Sequence, residues 1–190
     1  MFSHIIEDGL EVKLLQEHHA TPLFELVDRN RTHLRAWLPW VDRTETAFDS
    51  LEFIKMTKTK FAQNIGFEVG IWVDGEIAGI IGLHFIDWLN MRSSIGYWLG
   101  KEYVGRGAMV KSVGAVLEYL MNEIQMNYVE IRAATENTKS RAIPKRLGFK
   151  HEGTLRDYEW LYDHYVDLEH YGLTAQDWNV YKQKQAKKDR

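Results

Sequence analysis

The chain has no cysteine. That excludes disulfides, thiolate metal sites and a cysteine nucleophile. No apolar run approaches the roughly 18 residues that a transmembrane helix needs, so no membrane partner is expected. Met1–Asp8 shows no basic stretch leading into an apolar one; secretion is not indicated, and the cytoplasm is the expected compartment. Basic charge is not in excess: 24 Lys and Arg face 27 Asp and Glu, a net charge of −3 that argues against nucleic-acid binding and favours a cationic partner. The eight histidines show no H-E-x-x-H or other ligand spacing, so no metal site is expected. No internal repeat or linker divides the 190 residues, which reads as one domain large enough for a proper core. The 45% hydrophobic and 27% charged composition is that of an ordinary soluble globular chain.

What is present centres on Ile95–Met121. Ile95-Gly96-Tyr97-Trp98-Leu99 is a β-branched and aromatic run, the pattern of a buried strand. A turn through Glu102-Tyr103-Val104-Gly105-Arg106-Gly107 follows. Met109, Val113, Val116, Leu117, Leu120 and Ile124 then recur at helical spacing and predict a helix over 108–125. First-turn amides of a helix lack intrahelical partners and carry the positive end of its dipole, so a strand–turn–helix of this kind is an anion site. Gly105 and Gly107 suit it because a missing Cβ permits positive φ and close approach by phosphate. The stretch reads as a diphosphate cradle, or as a plain strand-to-helix connection. Val110 replaces the second glycine of a P-loop and the last glycine of G-x-G-x-x-G, so neither nucleotide motif is met.

Leu10, Val12 and Leu14 alternate as a first strand. Thr21-Pro22 predicts an N-cap with proline at the first helical position, and a short second helix is expected over 31–38, stopping before Pro39. Trp37 and Trp40 either line an acceptor pocket or pack in the core. Thr46–Asp49 has capping-box spacing and opens a helix to about Gln63 with Phe48, Leu51, Ile54 and Phe61 on its apolar face. Phe67–Val73, an Asp74-Gly75 turn and Ile77–Phe85 predict a hairpin. A polar break at Asn90–Ser94 precedes the central strand. Val129–Ala133 is a further strand, parallel to the one at 95–99 if the helix between them is a crossover. Asn137 can cap a helix over 138–147 that ends at Gly148. Phe149–Leu155 and Val166–Leu173 are the last strands, and Thr174–Asp177 opens a polar helix expected to fray from Lys182. These elements predict an α+β fold, a mixed, mostly antiparallel sheet with helices on both faces.

Ile95–Leu99, Gly105-Arg106-Gly107, Asn137-x-x-Ser140 continuing to Arg146-Leu147-Gly148-Phe149, and Glu152-Gly153 occur in an order that resembles the GNAT superfamily of N-acetyltransferases, within it the RimJ/RimL type that acetylates ribosomal-protein N-termini. The resemblance implies one domain over 1–180 with a polar tail over 181–190, and fourth and fifth strands that splay apart. It implies acetyl-CoA as donor, its pyrophosphate on the amides of Gly105, Arg106, Gly107, Ala108 and Met109, its pantetheine arm beside Trp98 and Leu99, and Asn137 near the pantetheine or the thioester. Val104 and Met109 depart from the family's turn pattern, and Pro144 stands where many members carry a proton-donating tyrosine. Ribosomal-type members place a serine at the position of Ser140 and a glutamate at that of Glu159, which makes these the candidate thiolate partner and base.

Chemistry is consistent with those roles. An amine attacks a thioester only as its free base, so a carboxylate, directly or through water, should take its proton. The oxyanion needs a fixed donor such as a main-chain amide of the central strand, and the leaving thiolate needs a proton or hydrogen bond, which a hydroxyl can provide. Glu159 reads either as that base or as an exposed charge, with Glu152 in reserve; Ser140 reads either as the hydroxyl or as a helix-start residue. The acceptor is a protein N-terminus, a small amine (polyamine, amino sugar or antibiotic), or absent if the chain only binds acyl-CoA. A homo-oligomer is compatible with the aromatic surface candidates.

Overall fold

In a computed structural model, which describes residues 3–188, alternation and turn chemistry set the strands. β1 (Ser3–Glu7) and β2 (Leu10–Leu14) form an antiparallel hairpin, then three helices follow: α1 (Ala20–Arg29), α2 (Arg31–Arg35) and α3 (Ala47–Ala62). β3 (Glu68–Val73) and β4 (Glu76–Asp87) turn through Asp74 and Gly75, both at positive φ (51° and 84°), as a two-residue hairpin with Asp-Gly demands. β5 (Arg92–Leu99), α4 (Ala108–Glu118), β6 (Tyr128–Ala134), α5 (Thr138–Arg146), β7 (Lys150–Leu161), β8 (His164–Thr174) and α6 (Ala175–Lys188) complete the α+β fold.

The chain forms two compact units. The first runs to Phe85 and adds Gly96–Ser112; the second takes Ile86–Ile95 and everything from Val113. In the first, β1-β2-β3-β4 follow in antiparallel order, with Val12 opposite Ile71 in the core. Leu23, Leu26 and Val27 of α1 are buried, as is Ile54 of α3, the helix that packs on α1. In the second, the order is β5-β6-β8-β7. Arg92–Ile95 of β5 pair in parallel with Tyr128–Ile131 of β6, the geometry expected of a crossover through α4, and the β6–β8 and β7–β8 ladders are antiparallel.

Several local expectations are corrected. β1 was not foreseen. A 3-10 turn at Glu17–His19, with the Gln16 N–H donating to His19 Nδ1 at 3.0 Å, leads into α1, so the helix begins ahead of Thr21-Pro22. The Thr46/Asp49 capping box forms, with the Thr46 N–H 2.8 Å from Asp49 Oδ2, yet α3 buries Ser50, Ile54 and Thr57 while Phe48 and Phe61 stay exposed. Ser93 and Ser94, read as part of a polar break, are buried inside β5. α4 widens into a π turn at Tyr119–Glu123, and α6 runs on to Lys188 rather than fraying from Lys182. Glycine at 153 and the left-handed Asp157 (φ 48°) accompany two register shifts in β7.

Candidate active site

In the first unit the cradle is assembled by backbone conformation. Trp98 and Leu99 end β5, and the Gly100 N–H donates to the Ala78 carbonyl at 2.8 Å. The indole of Trp98 packs with Leu38 and Trp40 on Val27, Leu34 and Val41, its ring 5.7 Å from that of Trp40. Trp40 and the Trp98 ring thus both pack on this cluster. A 3-10 turn at Lys101–Tyr103 follows, and buried Asn30 pins it: its side chain accepts from the Lys101 N–H at 2.8 Å and donates to the Leu26 carbonyl at 3.0 Å. Arg29 adds a 2.9 Å ion pair to Glu102. Nothing in the local sequence marks Asn30, because its partner lies 71 residues away.

Gly105 and Gly107 both lie at positive φ, 88° and 82°. A Cβ at Gly105 would meet no atom within 4 Å, and one at Gly107 would only reach Lys111 Cε at 4.0 Å. Conformation, not crowding, demands glycine here, and the space above both is open. The Lys111 N–H to the Gly107 carbonyl, 3.1 Å, closes the first turn of α4, so the amides of Ala108, Met109 and Val110 precede the helical ladder. Ala108 and Met109 bury their side chains, which leaves their N–H groups as what they contribute. Open space over two left-handed glycines at a helix start fits a diphosphate.

The second unit carries the candidates for proton movement. The Asn137 N–H closes the turn after β6 onto Ala134, 2.8 Å, and Asn137 Oδ1 accepts from the Ser140 N–H at 3.1 Å. Asn137 is thus the N-cap of α5, and Ser140 is half-buried in the first helical turn. Pro144 is buried inside α5 and brings no hydroxyl. Glu159 lies on β7 opposite Val166 and is half-buried; burial raises its pKa, and the nearby charge of Arg132 pulls the other way. Its aromatic neighbours stand largely in solvent, Trp160 packing edge-on against Tyr165 at 4.9 Å. Glu152 is already engaged, accepting from the Tyr128 hydroxyl at 2.6 Å. Among the described residues, no three His, Asp or Glu side chains group as a metal site would require.

Sequence reasoning missed a polar cluster centred on buried Glu169. Glu169, 6% exposed, accepts from Thr154 Oγ1 at 3.1 Å and contacts His151 Nε2, with the Arg141 guanidinium at 3.6 Å. Burial pushes this carboxyl up, but the bonds from His151 and Thr154 and the charge of Arg141 outweigh it and hold its pKa low. The signal was present: Glu169 occupies an inward position of β8 in step with buried Tyr171 and Leu173.

A family profile described as an acetyltransferase (GNAT) domain matches residues 10–150. The Bacillus subtilis (strain 168) protein named "Putative ribosomal N-acetyltransferase YdaF" is 34% identical over 179 residues, 94% of this chain and 98% of that one. A ribosomal-protein-serine acetyltransferase of Escherichia coli (strain K12) is 26% identical over 166 residues, 87% of this chain and 93% of its own length. A crystal structure titled "Probable acetyltransferase" shares 32% identity and superposes with a TM-score of 0.85 over 94% of this chain and 99% of that one. With a profile spanning well over half the sequence on a cradle of this geometry, the chain belongs to the GNAT acetyltransferases.

Proposed function

We propose that this acetyltransferase moves the acetyl group of acetyl-CoA directly to a primary amine, and that the amine is a protein N-terminus of the ribosomal type. The observation that carries the donor half is the open, left-handed Gly105–Gly107 turn at the start of α4. Near-full-length similarity to the ribosomal-type relatives supports the acceptor.

In this reading the amides of Gly105, Arg106, Gly107, Ala108 and Met109 hold the pyrophosphate, and the main chain at Trp98 and Leu99 holds the pantetheine arm. Asn137 combines its capping role with a contact to that arm. The amine lone pair attacks the thioester carbonyl, Glu159 takes the ammonium proton directly or through water, and the C–S bond breaks. The thiolate leaves with a proton or hydrogen bond from Ser140. A chain without cysteine forms no thioester of its own, so both substrates are bound together when transfer occurs.

The same absence makes the assay clean, since every thiol released comes from the coenzyme. Acetyl-CoA is offered with peptides bearing ribosomal-protein N-termini, with polyamines, and with aminoglycosides. Turnover of peptides alone is expected; turnover of a small amine with every peptide inert overturns the acceptor assignment, and no turnover with tight coenzyme binding leaves only a binding module. Gly107→Val tests the donor half. A β-branched residue at φ 82° is strained by at least about 1–2 kcal/mol and puts methyl groups over the open amides. The Kd for acetyl-CoA, by calorimetry, should rise about tenfold or more; an unchanged Kd would place the pyrophosphate elsewhere.

A further inference from the structure

The polar cluster around Glu169 joins three elements to the turn that carries Ser140. Arg141 is its hub: the guanidinium donates to the carbonyl of Thr135 at the end of β6, reaches the Tyr171 hydroxyl of β8 at 3.3 Å, and faces Glu169 Oε1 at 3.6 Å. Its own N–H bonds the Asn137 carbonyl at 3.0 Å, beside the 3.1 Å cap from Asn137 Oδ1 to the Ser140 N–H. The other oxygen of Glu169 is taken by His151 and Thr154 of β7.

Such an arrangement is poorly explained by stability. Taking the Glu169 carboxylate out of water is costly, and a well-packed apolar side chain in its place often does as well or better. What a planar guanidinium bonded to a strand end and a facing strand does supply is fixed geometry for the residues bonded to it. We infer that Arg141, held by Glu169 and Tyr171, is the positioning residue that fixes the β6–α5 turn and with it the direction of Ser140 toward the departing thiolate. In this role Arg141 acts through Ser140, and the inference rests on the reading that Ser140 serves the thiolate.

A double-mutant cycle on the full chain separates the two ideas. Ser140→Ala and Arg141→Met should each lower kcat about tenfold or more, leave the KM for acetyl-CoA within about twofold, and combine to no more than Ser140→Ala alone, since a misaimed group and a missing one lose the same step. Arg141→Met should also speed exchange of the Ser140 amide hydrogen, a readout independent of activity. Tyr171→Phe keeps the core ring and removes one bond to Arg141; it should give a smaller loss of kcat in the same direction and serves if Arg141→Met does not fold. If Ser140→Ala is inert, the thiolate role falls and this inference falls with it. If Ser140→Ala lowers kcat while the Arg141 or Tyr171 effect adds fully to it, or appears only as lost thermal stability, Arg141 is structural and the inference alone is overturned.

Discussion

Glu159→Gln is expected to lower kcat/KM by about 10²- to 10⁴-fold, the range for loss of a positioned general base. Glutamine keeps the shape and removes the proton acceptor, so binding of acetyl-CoA should be unaffected. The pH profile distinguishes a base from a merely polar neighbour. Burial lifts this carboxyl above its ordinary value of 4.5, so an acidic limb belonging to Glu159 should lie above that value. With a peptide offered as acceptor, its α-amino group titrates near 7.7–8.0 and contributes a second, higher limb. The variant should keep the amine limb and lose the lower one. Arg132→Met, which removes the charge that favours the carboxylate, should shift the lower limb upward. Stability follows the opposite sign from activity. A raised carboxyl pKa means that the folded chain binds this proton more tightly than the unfolded chain does. The ionised form therefore destabilises the fold fully above the folded pKa, and the cost vanishes as pH falls below the unfolded value. Glu159→Gln should accordingly unfold at a higher temperature near neutral pH, with the gain fading in acid. A variant that keeps both its rate and its lower limb would move the base elsewhere, Glu152 being next to test.

Trp178→Ala is expected to cost about 3–5 kcal/mol, as for removal of other buried aromatic side chains. Trp178 is only 4% exposed although it sits on an otherwise polar terminal helix, α6. Its ring stacks on Tyr181 with centroids 5.3 Å apart, and its Nε1–H donates to Glu118 Oε2 at 3.1 Å. Lys182 reaches the same carboxylate at 3.2 Å, so α6 is tied to the end of α4 by packing and charge together. For a chain of this length the loss should lower the Tm by roughly 10 °C, read by calorimetry. Trp178→Phe keeps the ring and removes only the donor; Glu118 retains Lys182 and Asn122, so that change should cost about 1 kcal/mol. An unchanged Tm for Trp178→Ala would mean that α6 lies outside the cooperative unit.

How much of this was legible beforehand depended on how local the cause is. Asp74-Gly75, the Thr46/Asp49 box and the Asn137 cap involve partners within four residues, and each forms as expected. The two glycines of the cradle were legible for the same reason, since their left-handed conformation is a property of the residue itself. β1 was missed because it has no inward face to announce it: Ile5 is 74% exposed. The apolar face assigned to α3 held at Ile54 but failed at Phe48 and Phe61, because periodicity cannot say which neighbour a helix will meet; Ser50 and Thr57 are buried while Phe48 faces solvent. Asn30 and the pairing of Arg141 with Glu169 were invisible for a deeper reason, although the inward position of Glu169 on β8 was there to read. Their meaning comes from partners 71 and 28 residues away, brought near only by the folded chain.

The register shifts of β7 have a consequence for the molecule in concentrated solution. β7 ends the strand order of its unit, and a straight outer strand of 12 residues would invite a second copy to extend the ladder. Gly153 and Asp157 bend the backbone twice within five positions, so an incoming strand finds no more than a few collinear amides and carbonyls. Interruptions of this kind disfavour growth of a continuous intermolecular ladder from this edge.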